Sequence, residues 1–246
     1  MPKRSRNFSA ASTAPPARYS GWFLLVVALF VTCLIVSNII GTKLAMFQGQ
    51  VVTAAIVIFP ISYICGDVLT EVYGYRQARL AIWLGFLCNL LAVIAIWVGQ
   101  QIPAAPFWDG QAAYERILGN TPRLLLASFL AYLVGELVNS FVLAKMKIAT
   151  QGRWLWMRTI GSTIVGQGLD SVIFVVVAFL GTIAPTAMLS TIVTQWLLKT
   201  VYEAIATPLT YVVVNFLKRT EQLDVYDYDT SFNPLDWSES SQETLD

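Results

Sequence analysis

The chain has 246 residues, of which 56% are hydrophobic and 13% are charged, and its mean hydropathy is +0.62. Soluble domains carry about 25% charged residues, so this composition excludes an ordinary water-soluble domain. The formal net charge of +1 says little about partners, and we expect no nucleic acid among them. The composition therefore indicates a protein whose partner is the lipid bilayer.

Six stretches of the chain are long and apolar enough to cross a membrane. The bilayer core is about 30 Å thick and a helix rises about 1.5 Å per residue, so one crossing needs about 20 residues. A short amphipathic turn is also predicted at Gln111 to Leu118, between the third and fourth stretches. We predict an all-α, polytopic membrane protein with six transmembrane helices at residues 21–40, 50–71, 79–100, 123–145, 159–182 and 187–217.

Lysine and arginine are distributed unevenly over the two sides of the predicted bundle. Twelve lie in the tails and even-numbered loops, against Lys43, Arg116 and Arg123 on the other side. Because these residues favour the cytoplasm, both termini are predicted to be cytoplasmic. The twelve are Lys3, Arg4, Arg6, Arg18, Arg76, Arg79, Lys145, Lys147, Arg153, Arg158, Lys218 and Arg219.

The two ends of the chain differ in composition from the apolar part. Residues 1–20 are rich in Ser, Ala, Pro and Arg, whereas residues 221–246 carry eight acidic side chains and no basic one. Such segments bury too little apolar surface to fold alone. We predict a transport domain at 21–219 between two disordered cytoplasmic tails, 1–20 and 220–246.

Charged and amide side chains interrupt the apolar segments at helical spacing. Asp67 and Glu71 lie one turn apart, and with Tyr63 they share one face of the second segment. Polar groups inside a membrane are costly and usually mark ligand or ion pathways, so we expect them to face a shared hydrated cavity. The candidate binding residues are Asn38, Asp67, Glu71, Glu136, Asn139, Gln167, Asp170, Lys199 and Glu203.

Some of these candidates also have a structural interpretation. Lys199 and Glu203 are four residues apart, and this spacing is equally consistent with an internal ion pair and with a substrate or coupling role. Asp67 and Glu71 would lie at the cytoplasmic interface if the second helix ended near Gly66. Both alternatives are open at the level of the sequence.

Glu136 and Asp170 have no basic residue within one helical turn, which favours a functional role over an interfacial one. The amides Asn38, Asn139 and Gln167 are as consistent with hydrogen bonds between helices as with ligand contact. We therefore expect Glu136 and Asp170 to be the most informative positions for mutation.

The predicted interior has more acids than bases. Five acids face Lys199 and, at most, Lys43, so either some acids carry protons or a cation or donor-rich ligand completes the site. A carboxylate accepts two parallel N–H bonds well, and amides or lysine serve carbonyl and ring-nitrogen acceptors. A flat, guanine-like base stacked on an aromatic side chain such as Tyr63 would suit this pocket.

The sequence disfavours an intramembrane enzyme. It has no histidine and no serine in a G-x-S-x-G context, and GQGLD around Asp170 is not a typical catalytic loop for an aspartate dyad with Asp67. It also lacks a G-x-x-x-x-G-K-[ST] loop, so ATP hydrolysis would require another protein. Cys33, Cys65 and Cys88 lie inside predicted helices as packing residues. We expect no metal and no cofactor.

Five motifs of the apolar part of the chain occur together. They are SNIIGTK at 37–43, FPISYICGDVLTEVYG at 59–74, GELVNSFVLAKMK at 135–147, STIVGQGLDSVIF at 162–174 and LLKTVYEAIATPLTY at 197–211. These motifs resemble the queuosine-precursor transporter family, also called the vitamin-uptake-transporter-like (VUT) family. The combination of D-x-x-x-E-V-Y-G with G-Q-x-x-D is specific for it, and the resemblance spans residues 20–219.

The resemblance implies import of 7-cyano- or 7-aminomethyl-7-deazaguanine across the inner membrane for tRNA modification. It also implies an architecture similar to the six-helix substrate-binding subunits of energy-coupling-factor importers. Import of another vitamin-like molecule is the alternative. A homodimer or an external energising module is the expected form of any protein partner. The candidate binding residues coincide with the motif positions.

Overall fold

The computed structural model describes residues 20–47, 50–119, 122–228 and 230–236. Within these ranges the chain is almost entirely helical, with one short antiparallel hairpin. The elements are α1 (Gly21–Ile40), β1 (Leu44–Phe47), β2 (Gln50–Thr53), a 3₁₀ helix (Ala54–Val57), α2 (Phe59–Tyr73), α3 (Tyr75–Gln101), α4 (Gln111–Leu118), α5 (Pro122–Ala149), α6 (Leu155–Phe179) and α7 (Pro185–Glu221).

Five regions of the described chain are long and apolar enough to cross a membrane. They are α1, α3, the stretch Gln111–Ala149 that contains α5, α6 and α7. Each helix begins and ends no more than four residues from the predicted bounds, and α4 coincides with the predicted amphipathic turn. The prediction of a polytopic, helical membrane protein is therefore confirmed at this level.

The second predicted span does not form one helix from residue 50, and in this respect the prediction was wrong. Residues 50–53 pair with β1 instead, with Leu44 opposite Thr53 and Phe47 opposite Gln50. The β-branched run of β2 favours an extended strand over a helix. Helix α2 starts only at Phe59, with Pro60 in its first turn, where the missing N–H of proline costs no hydrogen bond.

Helix α2 is the central element of the bundle, although it is short. It packs against α1, α3, α5 and α7, and nearly every residue from Ser62 to Tyr73 is buried. Its 15 residues extend about 22 Å, which is less than the bilayer core. Apolar side chains of α1, α2, α3 and α7 form the core beside it, including Phe30, Val68, Leu69, Val72, Ile82 and Leu217.

Helices α5 and α6 approach each other closely through glycines. A Cβ placed on Gly166 would lie 2.7 Å from the Asn139 Cβ and 2.8 Å from the Gly135 carbonyl oxygen. A Cβ on Gly135 would lie 2.8 Å from the Asp170 Cβ. Small residues at crossing points let membrane helices pack backbone to backbone. This crossing brings the polar faces of the two helices together.

Residues 222–228 and 230–236, here called the C-terminal strap, lie against the ends of α2, α3 and α5. Asp227 is 2% exposed, and its carboxylate accepts the backbone N–H of Tyr75 at the start of α3 with both oxygens at 3.1 Å. Phe232 packs 5.0 Å from the Tyr75 ring, and Trp83 donates to the Pro234 carbonyl at 2.9 Å.

The strap differs from the disordered tail that composition predicts for residues 220–246. A carboxylate at a helix N-terminus and an aromatic anchor are specific contacts, and average composition does not reveal them. The predictions for residues 1–19 and 237–246 lie outside the part of the chain that the structure describes.

Gly166→Ala should destabilise the bundle by about 1–3 kcal/mol, because the added methyl group would meet backbone and Cβ atoms of α5 that have no room to move. The matched control is Gly168→Ala on the same helix, where the new Cβ would lie 3.4 Å from the Trp196 Nε1. We expect a lower thermal unfolding midpoint in detergent for Gly166→Ala alone. Equal midpoints for the two variants would contradict this account of the crossing.

Candidate functional site

A cavity of about 500 Å³ lies between α1, α2, α5, α6 and α7. Its size falls within the range of about 300–1,000 Å³ that is typical of small-molecule sites. It is lined by the second halves of α1 and α6 and the first halves of α2, α5 and α7. Thr53, the last residue of β2, also lines it and is exposed. The cavity therefore occupies the half of the bundle away from the C-terminal strap.

Five of the nine predicted binding residues line this cavity, namely Asn38, Glu136, Gln167, Asp170 and Lys199. Glu136 fits against α2 because Gly66 leaves room: a Cβ there would lie 2.3 Å from the Glu136 Oε1. Lys199 forms a salt bridge with Asp170 that joins α7 to α6. The ion pair between Lys199 and Glu203 that their helical spacing suggests is thus replaced by a pair between helices.

Aromatic side chains form an apolar wall of the cavity. The rings of Phe59 and Tyr63 are stacked, with centroids 5.9 Å apart and an interplanar angle of 5°. The Tyr63 hydroxyl donates to the Gln167 Oε1 at 3.4 Å, and the Tyr132 hydroxyl donates to the Ile82 carbonyl oxygen at 3.1 Å. The cavity consequently offers flat apolar surfaces beside amide and carboxylate groups, which suits a planar polar ring.

Asn38 has a partner that the sequence analysis missed. Its Nδ2 donates to the Oδ1 of Asn89 on α3 at 2.8 Å, and Asn89 is buried. The only sequence signal for Asn89 is an amide in the middle of an apolar span. The interhelical hydrogen bond and the position of Asn38 at the cavity are both observed, so the two interpretations of this residue are compatible.

Asp67, Asn139 and Glu203 form a second layer, here called the buried acid layer, one helical turn beyond the cavity. Asp67 is 1% exposed and Glu203 is 0% exposed. Asn139 donates from its Nδ2 to the Asp67 Oδ1 at 3.2 Å. Four oxygens have no hydrogen-bond partner among the described residues: the Asp67 Oδ2, the Asn139 Oδ1 and both carboxylate oxygens of Glu203. None of the three residues lines the cavity.

Glu71 lies one turn further along α2, in a cluster of opposite charges. The Arg158 guanidinium binds both of its carboxylate oxygens, at 2.8 and 2.6 Å. Lys218 donates to the Glu71 Oε1 at 2.6 Å, and Lys147 donates to the Glu71 backbone oxygen at 2.6 Å. Asp224 of the strap contacts the two lysines at 2.6 and 2.8 Å. We call these five residues the ion cluster.

The ion cluster changes the interpretation of Glu71 and of two cations. Glu71 is 0% exposed and does not line the cavity. Arg158 and Lys147 are 2% and 1% exposed, although the predicted spans left both residues in a cytoplasmic loop. Burial raises the pKa of Asp224, but hydrogen bonds from Lys147 and Lys218 outweigh this effect and hold the pKa below its usual value.

The excess of negative charge in the interior is therefore smaller than the sequence suggests. Glu71 is neutralised within the ion cluster, and Asp170 by Lys199. Lys43 is exposed before β1, so it does not contribute to the interior. Glu136 and the two acids of the buried acid layer have no salt bridge among the described residues.

The part of the chain that contains the polar helices of the site matches a known sequence family. Residues 53–213 match the family described as "Putative vitamin uptake transporter". The chain belongs to this family. The matched range contains eight of the nine candidate residues, all except Asn38.

Two curated relatives are also similar in sequence to this member of the vitamin-uptake family. The "Probable queuosine precursor transporter" of Bacillus subtilis (strain 168) is 31% identical over 188 residues, which cover 76% of this chain and 82% of the relative. The "Queuosine precursor transporter" of Escherichia coli (strain K12) is 26% identical over 121 residues, or 49% of this chain and 52% of the relative. No solved structure matches the chain.

Glu71→Gln should destabilise the folded protein by about 3–5 kcal/mol, because it leaves buried cations without their carboxylate. The control is Glu115→Gln, which makes the same chemical change on the exposed surface of α4. We expect a clear fall in the thermal unfolding midpoint in detergent for Glu71→Gln and none for the control. An unchanged midpoint in both variants would show that the ion cluster is not important for stability.

Proposed function

We propose that this protein is an inner-membrane transporter that imports 7-cyano- or 7-aminomethyl-7-deazaguanine for queuosine salvage in tRNA. The observation that carries the proposal is the cavity of about 500 Å³, in which carboxylates, amides and stacked aromatic rings of a vitamin-uptake family member converge. The names of the Bacillus subtilis and Escherichia coli relatives support the same substrate class.

The chemistry of the cavity fits a guanine-like base. Such a base presents adjacent N–H donors along one edge, and the carboxylate of Glu136 is the cavity acid without a salt bridge in the described structure. Gln167 offers both an acceptor and donors, and the ring of Tyr63 beside it provides a stacking surface. Asp170 and Lys199 would orient the remaining carbonyl and ring-nitrogen groups.

The nine candidate residues divide into three roles in this proposal. The five residues that line the cavity contact the base. Asp67, Asn139 and Glu203 lie in the layer beneath the cavity and do not contact the base, and Glu71 holds the opposite end of the bundle together through Arg158.

The proposed topology has six spans and places both termini in the cytoplasm. The short helix α2 is added to the five long spans. The bias of lysine and arginine toward one side supports this orientation. The short α2 crosses with the help of the 3₁₀ helix and hairpin that precede it. The bundle is then comparable to the substrate-binding subunits of energy-coupling-factor importers, and it works alone, as a homodimer or with an energising module.

In this orientation the structure corresponds to an outward-facing state. The cavity lies in the outer half, while the buried acid layer and the ion cluster fill the cytoplasmic half of the same helix faces. Release of the base into the cytoplasm requires the ion cluster to separate, as expected for alternating access around a midplane site. The protein needs no enzymatic step in this scheme. Asp67 and Asp170 have separate partners, Asn139 and Lys199.

Asp170→Asn and Glu136→Gln should each abolish uptake of radiolabelled 7-cyano-7-deazaguanine into cells while the amount of protein in the membrane stays normal. Asp170→Asn leaves Lys199 without its counter-charge, and Glu136→Gln removes the carboxylate that accepts the N–H edge. The matched controls are Asp109→Asn and Glu115→Gln, which change exposed residues outside the bundle core. Normal uptake in both cavity variants would refute these roles.

A binding screen of the purified protein separates the proposed substrate from the alternatives. The panel contains the two deazaguanines, guanine and unrelated vitamins, measured by calorimetry at two pH values. Preference for the deazaguanines supports the proposal, whereas preference for a vitamin assigns the protein to another substrate of its family. A chemically altered ligand after incubation would indicate an enzyme instead.

A further inference from the structure

Glu203 is a buried acid of this bundle whose carboxylate has neither a counter-charge nor a hydrogen bond among the described residues. It lies in the middle of α7, is 0% exposed, and both of its carboxylate oxygens lack a hydrogen-bond partner among the described residues. The hydroxyl of Thr207 is nearby but donates to the backbone oxygen of Glu203 at 2.8 Å. An ionised carboxylate in this position would be very costly, so the site needs a proton or another cation.

Asp67 and Asn139 complete the surroundings of Glu203. Asp67 lies on α2, which packs against α7, the helix that carries Glu203. Its Oδ1 accepts from Asn139, while its Oδ2 and the Asn139 Oδ1 remain without partners in the described chain. This layer of the bundle therefore holds two carboxyl groups and an amide with four oxygens that have no partner among the described residues. A proton shared in this layer would supply the missing donor.

The cations around this layer are already paired. Lys199, one turn away on the same helix, binds Asp170 of α6. Lys147 from α5 and Arg158 from α6 bind Glu71.

The other titratable groups facing Glu203 do not supply a counter-charge. Tyr63 of α2, Glu136 of α5 and Asp170 of α6 line the neighbouring cavity, and they are acids or neutral. No group of three possible metal ligands occurs among the described residues.

We propose that Glu203, together with Asp67, binds the proton that couples import to the transmembrane proton gradient. This inference rests on the proposed transport function and adds its energy source. The position suits the role, because the buried acid layer separates the cavity from the ion cluster. Helix α7 carries Lys199 at the cavity, Glu203 in the middle and Lys218 in the ion cluster, so one helix connects all three layers.

The backbone of α7 is weakened just after Glu203. Pro208 lies inside the helix, where it has no N–H to donate and where its ring disfavours regular geometry. Proline removes the i→i−4 hydrogen bond to the Ala204 carbonyl, and the Thr207 hydroxyl donates to the adjacent Glu203 carbonyl oxygen at 2.8 Å. Helix α7 can therefore bend between the cavity and the ion cluster at the turn that follows the proposed proton site.

The first test uses the full-length protein in proteoliposomes with radiolabelled 7-cyano-7-deazaguanine. Binding to the wild-type protein is measured first, so that failure of the substrate assignment is seen separately. With one proton per base, a gradient of one pH unit should drive about tenfold accumulation, and a protonophore should abolish it. Binding and equilibration without any effect of the gradient would overturn the proton site and leave the transporter intact.

The second test is Glu203→Gln, which imitates the protonated acid permanently. We expect this variant to bind the base and to exchange internal for external base at the wild-type rate, since exchange needs no net proton movement. Accumulation driven by the pH gradient should be lost. The control Glu115→Gln should retain both activities.

Asp67→Asn provides an independent variant if Glu203→Gln does not fold, and the same separation of exchange from accumulation is expected. Gradient-driven accumulation at the wild-type level in a folded variant would overturn the assignment to that residue. Loss of binding together with loss of exchange would show a direct substrate role instead, and would also overturn the proposal.

Discussion

An ionised carboxylate in the low-dielectric interior of a membrane bundle needs a counter-charge, a set of hydrogen bonds or a proton. This constraint sorts the acids of the described chain. Glu71 is held by a bidentate guanidinium and two lysines, and Asp170 is held by Lys199. Asp67 and Glu203 lack such a partner and are sealed from solvent. The acids that look equivalent in the sequence therefore have three different physical environments.

These environments follow the helical repeat. On α2, Tyr63, Asp67 and Glu71 are spaced by four residues, so they occupy the cavity, the buried acid layer and the ion cluster in turn. Helix α7 presents Lys199 and Glu203 to the first two layers with the same spacing. A polar axis through the bundle results from this periodicity. Helices α2 and α7 each contribute side chains to more than one layer. Movement of one of these helices therefore changes the ion pairs and hydrogen bonds of more than one layer.

The sequence predicts the elements better than it predicts their pairing. Hydrophobic length and helical spacing were enough for the long helices and for Glu136 at the cavity. The spacing also allowed a pair between Lys199 and Glu203, but the contact of α6 with α7 supplies Asp170 instead. The partners of Glu71 lie 87 and 147 residues away in the chain, and no local pattern reveals such distances. The hairpin before α2 was missed because an apolar, β-branched run fits both a span and a strand.

The acidic character of the C-terminal strap has a physical reason that composition alone does not give. Lys147, Arg158 and Lys218 bring three positive charges to Glu71, and Asp224 supplies a second carboxylate. The lowered pKa of Asp224 keeps it ionised at neutral pH, so the strap contributes a permanent charge to the ion cluster. In the proposed import cycle this cluster separates when the cavity opens to the cytoplasm, so in that scheme the strap is part of the closure at that end. Opening therefore replaces the contacts of Asp224 with water. Because water solvates this charge well, the free-energy cost of breaking these contacts is low.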